Sequence, residues 1–172
     1  MLHSHPTSLG VSRIVLKLLR MLNLGMGLGL VLAFPASLVF EPQFVEFFSK
    51  RPPSIDPGWL MPTLRVWLVL ALPMIGLVHV QLSRLLAVVE TVAVDPFVPE
   101  NVPRLKTIAW CMLGLELLRL VYGMLAATMN AAGSRIEWHF STTGWLAVVL
   151  LFVLAQVFEA GTRLRDDLDA MI

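Results

Sequence analysis

Charge is scarce in this chain, and cysteine is nearly absent. Of 172 residues, 15% are Asp, Glu, Lys or Arg, against 57% hydrophobic. A water-soluble domain is nearer a quarter charged and half apolar, so a soluble surface of this composition would be covered in leucine. The mean hydropathy of +0.77 points the same way: the solvent is lipid. Cys111 is the only cysteine, which excludes an intrachain disulfide framework. Thirteen basic and twelve acidic residues leave a net charge of +1, which argues against nucleic acid as a direct partner. The motifs of catalysis are missing too: no H-E-x-x-H, no G-x-S-x-G, no glycine-rich phosphate loop. Ser141, Thr142 and Thr143 have no evident base beside them. No enzyme, cofactor or metal site is expected. His3 and His5 have a metal-binding spacing but no further ligand nearby, so they read as a frayed tail. Asp166, Asp167 and Asp169 lack the oxygen ligands and loop spacing of a calcium site.

What the chain has is long apolar runs. About 20 such residues span the hydrocarbon at roughly 1.5 Å each. Four spans are expected, near residues 14–40, 62–94, 107–128 and 142–160. Together they make a single all-α, four-helix membrane bundle of two helical hairpins over residues 1–172. The first run follows Arg13, Lys17 and Arg20, an order that also suits a signal peptide. It is too long for one and lacks a clear small-x-small cleavage site, so it reads as retained. Between the first two spans, Phe44, Phe47 and Phe48 recur at helical spacing and predict a short interfacial helix. The second span contains Pro73, where a kink is expected, and its pattern continues past Arg84.

A polar elbow, residues 95–106, separates the halves. Pro96, Pro99 and Pro103 each lack an N–H and bias the preceding residue away from helix. Asn101 can cap the helix that restarts there, with Pro103 in its first turn. Counting Lys and Arg gives orientation. With the amino terminus inside, the inner segments hold Arg13, Lys17, Arg20, Arg84, Arg104, Lys106, Arg163 and Arg165. The outer ones hold Lys50, Arg51, Arg65 and Arg135. Both termini and the elbow are therefore expected in the cytoplasm, with Trp59, Trp67, Trp138 and Trp145 as an outer belt.

Glu116 and Arg119 are the sharpest chemical feature. Ionisable groups inside a membrane helix face protein or water, and at i, i+3 these two share a face and can pair. Two readings stand: a proton or ion relay, extended by His79, or a neutralised pair that fixes helix register. For His79 itself, a hydrogen-bonded structural role stands beside a switch or ligand role, with Gln81 and Gln156 as candidate polar neighbours. Gly25 and Gly29 form a G-x-x-x-G pair that lets another backbone approach, either within the chain or in a homo-oligomer. Gly76 lies at the same depth as Gly29.

The tail, residues 161–172, mixes charge and leucine. Leu164 and Leu168 at i, i+4 fall on one stripe if the helix continues, among Arg163, Arg165, Asp166, Asp167 and Asp169. That stripe either packs on the end of the second helix, around Leu85, Val88 and Val92, or stays free for a partner. The elbow's Phe97, Glu100, Asn101 and Arg104 are candidates for the same surface.

Elbow and tail together resemble one family. The pieces are Pro96-Phe97, then Glu100-Asn101-Val102-Pro103-Arg104-Leu105-Lys106-Thr107-Ile108-Ala109, and Leu154-Ala155-Gln156-Val157-Phe158-Glu159-Ala160-Gly161-Thr162-Arg163-Leu164-Arg165-Asp166-Asp167-Leu168-Asp169. They look like the signatures of the bacterial membrane proteins grouped as domain of unknown function 2975. Pro103 within the first piece and the Asp-Ala-Met-Ile ending depart from the family pattern. The resemblance implies a four-helix protein of the bacterial inner membrane with no catalytic residues to carry over. Relatives are often encoded beside a small helix-turn-helix regulator, so it implies such a partner. The resulting expectation is a regulatory or anchoring subunit that holds a small cytoplasmic protein at the lipid bilayer. The alternative is an oligomeric channel or transporter using Glu116, Arg119 and His79.

Overall fold

The computed structural model describes residues 6–49, 57–92, 98–131 and 136–169, with the side chains of 6–9, 48, 49, 57, 59, 166, 168 and 169 left aside. Five helices follow one another: α1 (Pro6–Val39), α2 (Glu41–Ser49), α3 (Pro57–Val92), α4 (Asn101–Ala131) and α5 (Thr142–Asp169). No strand occurs among the described residues. All but α2 are long and apolar enough to cross a membrane. The chain is an all-α, multi-pass membrane protein.

The helices outrun the apolar runs. The first, expected at 14–40, is Pro6–Val39, and the second, expected at 62–94, is Pro57–Val92. The third, expected at 107–128, is Asn101–Ala131, and the fourth, expected at 142–160, is Thr142–Asp169. Hydropathy marks what sits in lipid, whereas backbone hydrogen bonding continues until a breaker stops it. Half the polar elbow is therefore helix. Pro103 sits in the first turn of α4, where its missing N–H has no intrahelical partner to lose, and Thr107 Oγ1 donates to its carbonyl at 2.8 Å. The helix α3 runs on through both Pro62 and Pro73.

The spanning helices lie in a row. α1 packs on α3, α3 on α4 and α4 on α5, while α2 leans on α1 and α3. Among the described residues α1 touches neither α4 nor α5, and α3 does not touch α5. The two hairpins join through α3 and α4 and do not close round one core.

A narrow stripe holds α1 to α3. Leu16, Asn23 and Ser37 are buried, with Leu30 completing the spacing of sevens, a single contact seam. Asn23 Nδ2 donates to the Ile75 carbonyl at 3.1 Å, which fixes the register at one height. At the α2 end, Arg65 donates to the Ser37 carbonyl at 3.2 Å and to Glu41 at 2.5 Å. The close approach of the two helices is at Gly27, where an added Cβ would stand 3.1 Å from Ile75 Cγ2.

That contact corrects the within-chain reading of the expected packing glycines. An added Cβ at Gly25, Gly29 or Gly76 would meet nothing within 4 Å. Gly25 and Gly29 are each two residues from Gly27, and two residues turn a helix by about 200°. With Gly27 against α3, they face away from it. The other close approach between spanning helices besides the α4–α5 corner is at Gly114, where an added Cβ would stand 3.0 Å from Leu77 Cδ1.

Candidate functional site

Glu116 stands in the middle of α4, fifteen residues from either end. It is 3% exposed. Arg119, half exposed, reaches it with Nη1 at 3.4 Å from Oε1. The carboxylate also lies against Gly144, the third residue of α5, so closely that a Cβ there would overlap it. The first turn of α5 is capped by Ser141, whose Oγ accepts from the Gly144 N–H at 3.1 Å. The buried acid is thus beside the positive end of a capped helix, with one guanidinium on its open side.

This geometry means that α5 begins at mid-height of α4. The second half of α4 is accompanied by the irregular strap 136–141. Asn130 pins one end of the strap twice: Nδ2 donates to the Ile136 carbonyl at 2.8 Å, and Oδ1 accepts from the Ile136 N–H at 2.7 Å. Further along, the Trp138 ring lies on Gly123, with Cδ2 2.6 Å from where a Cβ would stand. Its indole nitrogen donates to the Arg119 carbonyl at 3.1 Å. Phe140 stacks on Trp145 at 6.4 Å. Across α4, Trp67 and Tyr122 pack at 5.0 Å. Of these aromatic residues, Trp138 touches the pair directly, through the Arg119 carbonyl.

His79 belongs elsewhere. It lies one turn from Ile75, which touches α1 through Gly27 and Asn23. Gln81, two residues on and so on the opposite face, donates weakly to Met112 Sδ on α4 at 3.9 Å. Gln156 is on α5, which α3 does not reach. Neither glutamine is placed to serve His79, and its Nδ1 is buried with no hydrogen-bond partner. Glu116 lies against α5 at Gly144, whereas His79 is on α3, which does not reach α5 among the described residues.

The elbow closes on itself. Asn101 is 0% exposed. Its Oδ1 accepts from Thr91 Oγ1 at 2.6 Å and from Arg104 Nη1 at 3.1 Å. Arg104 Nη1 is also 3.3 Å from both the Ala87 carbonyl and Thr91 Oγ1. Asn101 and Arg104, expected on a partner surface, instead tie the start of α4 to the end of α3. Glu100 is exposed. Phe97 lies outside the described residues.

The far end of α5 is open. Lys106 donates to Glu159 at 2.8 Å and Arg163 to the same carboxylate at 2.9 Å. Beyond Glu159, α5 continues ten residues to Asp169, about 15 Å. Gln156, Glu159, Ala160, Arg163, Leu164 and Asp167 follow one stripe and line a cavity of about 510 Å³. Leu164 is 65% exposed. The expected packing of this stripe on Leu85, Val88 and Val92 does not occur at Leu164, since α5 and α3 do not meet among the described residues. Arg165 is exposed, as are Arg163 and Asp167; the side chains of Asp166, Leu168 and Asp169 lie outside the described residues.

The family described as Protein of unknown function (DUF2975) matches residues 54–172. The chain belongs to this family. The match takes in α3, α4 and α5, with the Asn101 corner, the Glu116–Gly144 contact and the open stripe; α1 and α2 precede it. No curated protein and no solved structure matches the chain.

In this DUF2975 protein the residues that build the pair's surroundings are Gly123, Trp138, Ser141 and Gly144. Gly123, seven residues after Glu116, shares its helix face by spacing, but no signal in the sequence names its occupant. The signal for the rest was Ser-Thr-Thr-Gly at 141–144, a capping residue three before a glycine at the start of an apolar run.

Proposed function

We propose that this protein is a non-enzymatic anchoring or regulatory subunit of the bacterial inner membrane, with both termini in the cytoplasm. It holds a small cytoplasmic partner, a helix-turn-helix regulator, on the projecting end of α5. The observation that carries this reading is Leu164: a large apolar side chain, 65% exposed on a charged helical stripe, with α3 out of reach. Leu164 stands among charges of both signs, Arg163, Arg165 and Asp167, and an exposed apolar anchor in such a setting suits a protein partner. The predominance of Lys and Arg at this end supports its cytoplasmic orientation.

The test is co-purification of the neighbouring regulator from mildly solubilised membranes. Wild type retains it, Leu164→Asp loses it, and a reporter fused after Ile172 reads as cytoplasmic. The alternative, an oligomeric conduit through Glu116, Arg119 and His79, is favoured by the burial of Glu116. It differs in outcome: joint replacement of Glu116 by Leu and Arg119 by Met leaves an anchor working and stops a conduit.

A further inference from the structure

Ten of the Lys and Arg residues lie among the described residues, and they divide sharply. Arg65, Arg104, Lys106, Arg119, Arg163 and Arg165 each have an interaction partner. Arg13, Lys17, Arg20 and Arg84 make no ion pair among the described residues. Three of these four lie on α1 at i, i+4 and i+7, one stripe about 10 Å long. The helix α1 contains no acidic residue. Lys17 and Arg20 are exposed, and Arg13 is half-buried with Nε enclosed and unpartnered. The nearest acid on α3, Glu90, lies beyond Arg84 by six residues, about 9 Å.

The surroundings say what kind of anion fits. Ile14, Leu18, Met21 and Leu22 alternate with the three cations, and all are well exposed, Met21 at 71%. Cations interleaved with bare apolar side chains do not make a water-facing surface for an acidic protein. They match an amphiphile with an anionic head and apolar chains. We propose that Arg13, Lys17 and Arg20 form a binding stripe for an anionic phospholipid, its phosphate held by the three side chains and its acyl chains lying on the exposed face of α1. This goes beyond the partner-anchoring role and does not depend on it. Basic side chains near an anionic leaflet gain about fivefold in binding each.

The experiment uses the full chain purified in a neutral detergent. Melting temperature and lipid retention by native mass spectrometry are read with phosphatidylglycerol, with phosphatidylcholine and with inorganic phosphate. Phosphatidylglycerol alone should raise the melting temperature and stay bound, less so at high salt. Removing all three charges could invert insertion, so single sites are used. Lys17→Gln and Arg20→Gln should each weaken retention about fivefold. Arg20→Lys should keep most of it, and Arg163→Gln, whose parent is already paired, should change nothing. Equal stabilisation by phosphatidylcholine would overturn the proposal, as would an equal effect of inorganic phosphate, which would mark a soluble-anion site. So would retention of phosphatidylglycerol unchanged in both Gln variants.

Discussion

The indole nitrogen of Trp138 donates to the backbone carbonyl of Arg119 across nineteen residues at 3.1 Å. That bond draws the strap 136–141 down along α4, so that α5 starts beside Glu116 and not at the far end of its neighbour. The strap sets the stagger of the second hairpin, and with it how far α5 projects at its other end.

The strap should behave as a unit. Trp138→Phe loses one hydrogen bond, about 0.5–1.5 kcal/mol. Gly123→Ala puts a methyl into the ring and displaces it. In a thermal-unfolding cycle in detergent, Trp138→Ala should cost clearly less in the Gly123→Ala background than in wild type. Additive effects would mean the ring and Gly123 act independently.

Glu116 and Arg119 should respond unequally to mutation. Removing Arg119 leaves a buried carboxylate unpaired, a loss below the roughly 3–5 kcal/mol of a fully buried pair because Arg119 is half exposed. Removing Glu116 leaves a guanidinium that is already half exposed and can swing toward water or headgroups. Arg119→Met should therefore lower the melting temperature more than Glu116→Gln, and the double variant should recover much of the Arg119→Met loss. A double as unstable as the sum of the singles would show that the groups do not pair.

Gly144→Ala should destabilise by about 1–3 kcal/mol, the usual cost of overpacking, because its methyl falls on the Glu116 carboxylate. Adding Glu116→Ala, which vacates that space, should relieve part of the clash; Glu116→Gln, of equal size, should not. Indifference of Gly144→Ala to all three backgrounds would separate the two residues.

Much of the fold was legible because lipid imposes a simple rule: apolar runs of sufficient length become helices. The four spans followed from it; the short helix over Phe44 and Phe47 followed from their helical spacing, and the restart at Asn101 from its capping side chain and Pro103. What stayed hidden was which face of each helix meets protein. In a membrane both the lipid side and the packing side are apolar, so Gly25 and Gly29 looked as suited to contact as Gly27. Only the seam through Leu16, Asn23 and Ser37 decides between them, and Asn23 was the polar residue that marked it. The elbow misled for a related reason. Asn101 and Arg104 are polar, and polar residues outside a span look exposed, yet both are used in the α3–α4 corner. Glu116 was readable as a buried acid; its neighbour Gly144 was not, since no pattern in the sequence encodes the descent of the strap.

The corner at Asn101 should be structural alone. Asn101→Leu leaves the Thr91 hydroxyl and an Arg104 donor without their acceptor, about 1–3 kcal/mol. The melting temperature should fall while the regulator's affinity for the membrane protein stays unchanged. A loss of affinity at unchanged stability would put the corner on the binding surface.

The most direct measurement is a titration of the proposed partner, a purified helix-turn-helix regulator, against the full chain in nanodiscs. Wild type should bind it. Burying a leucine is worth about 1.5–3 kcal/mol, so Leu164→Asp should raise Kd by roughly tenfold or more, while joint replacement of Glu116 by Leu and Arg119 by Met should leave Kd unaltered. Binding of equal strength with and without Leu164, or none by wild type, would contradict an anchoring role for the end of α5.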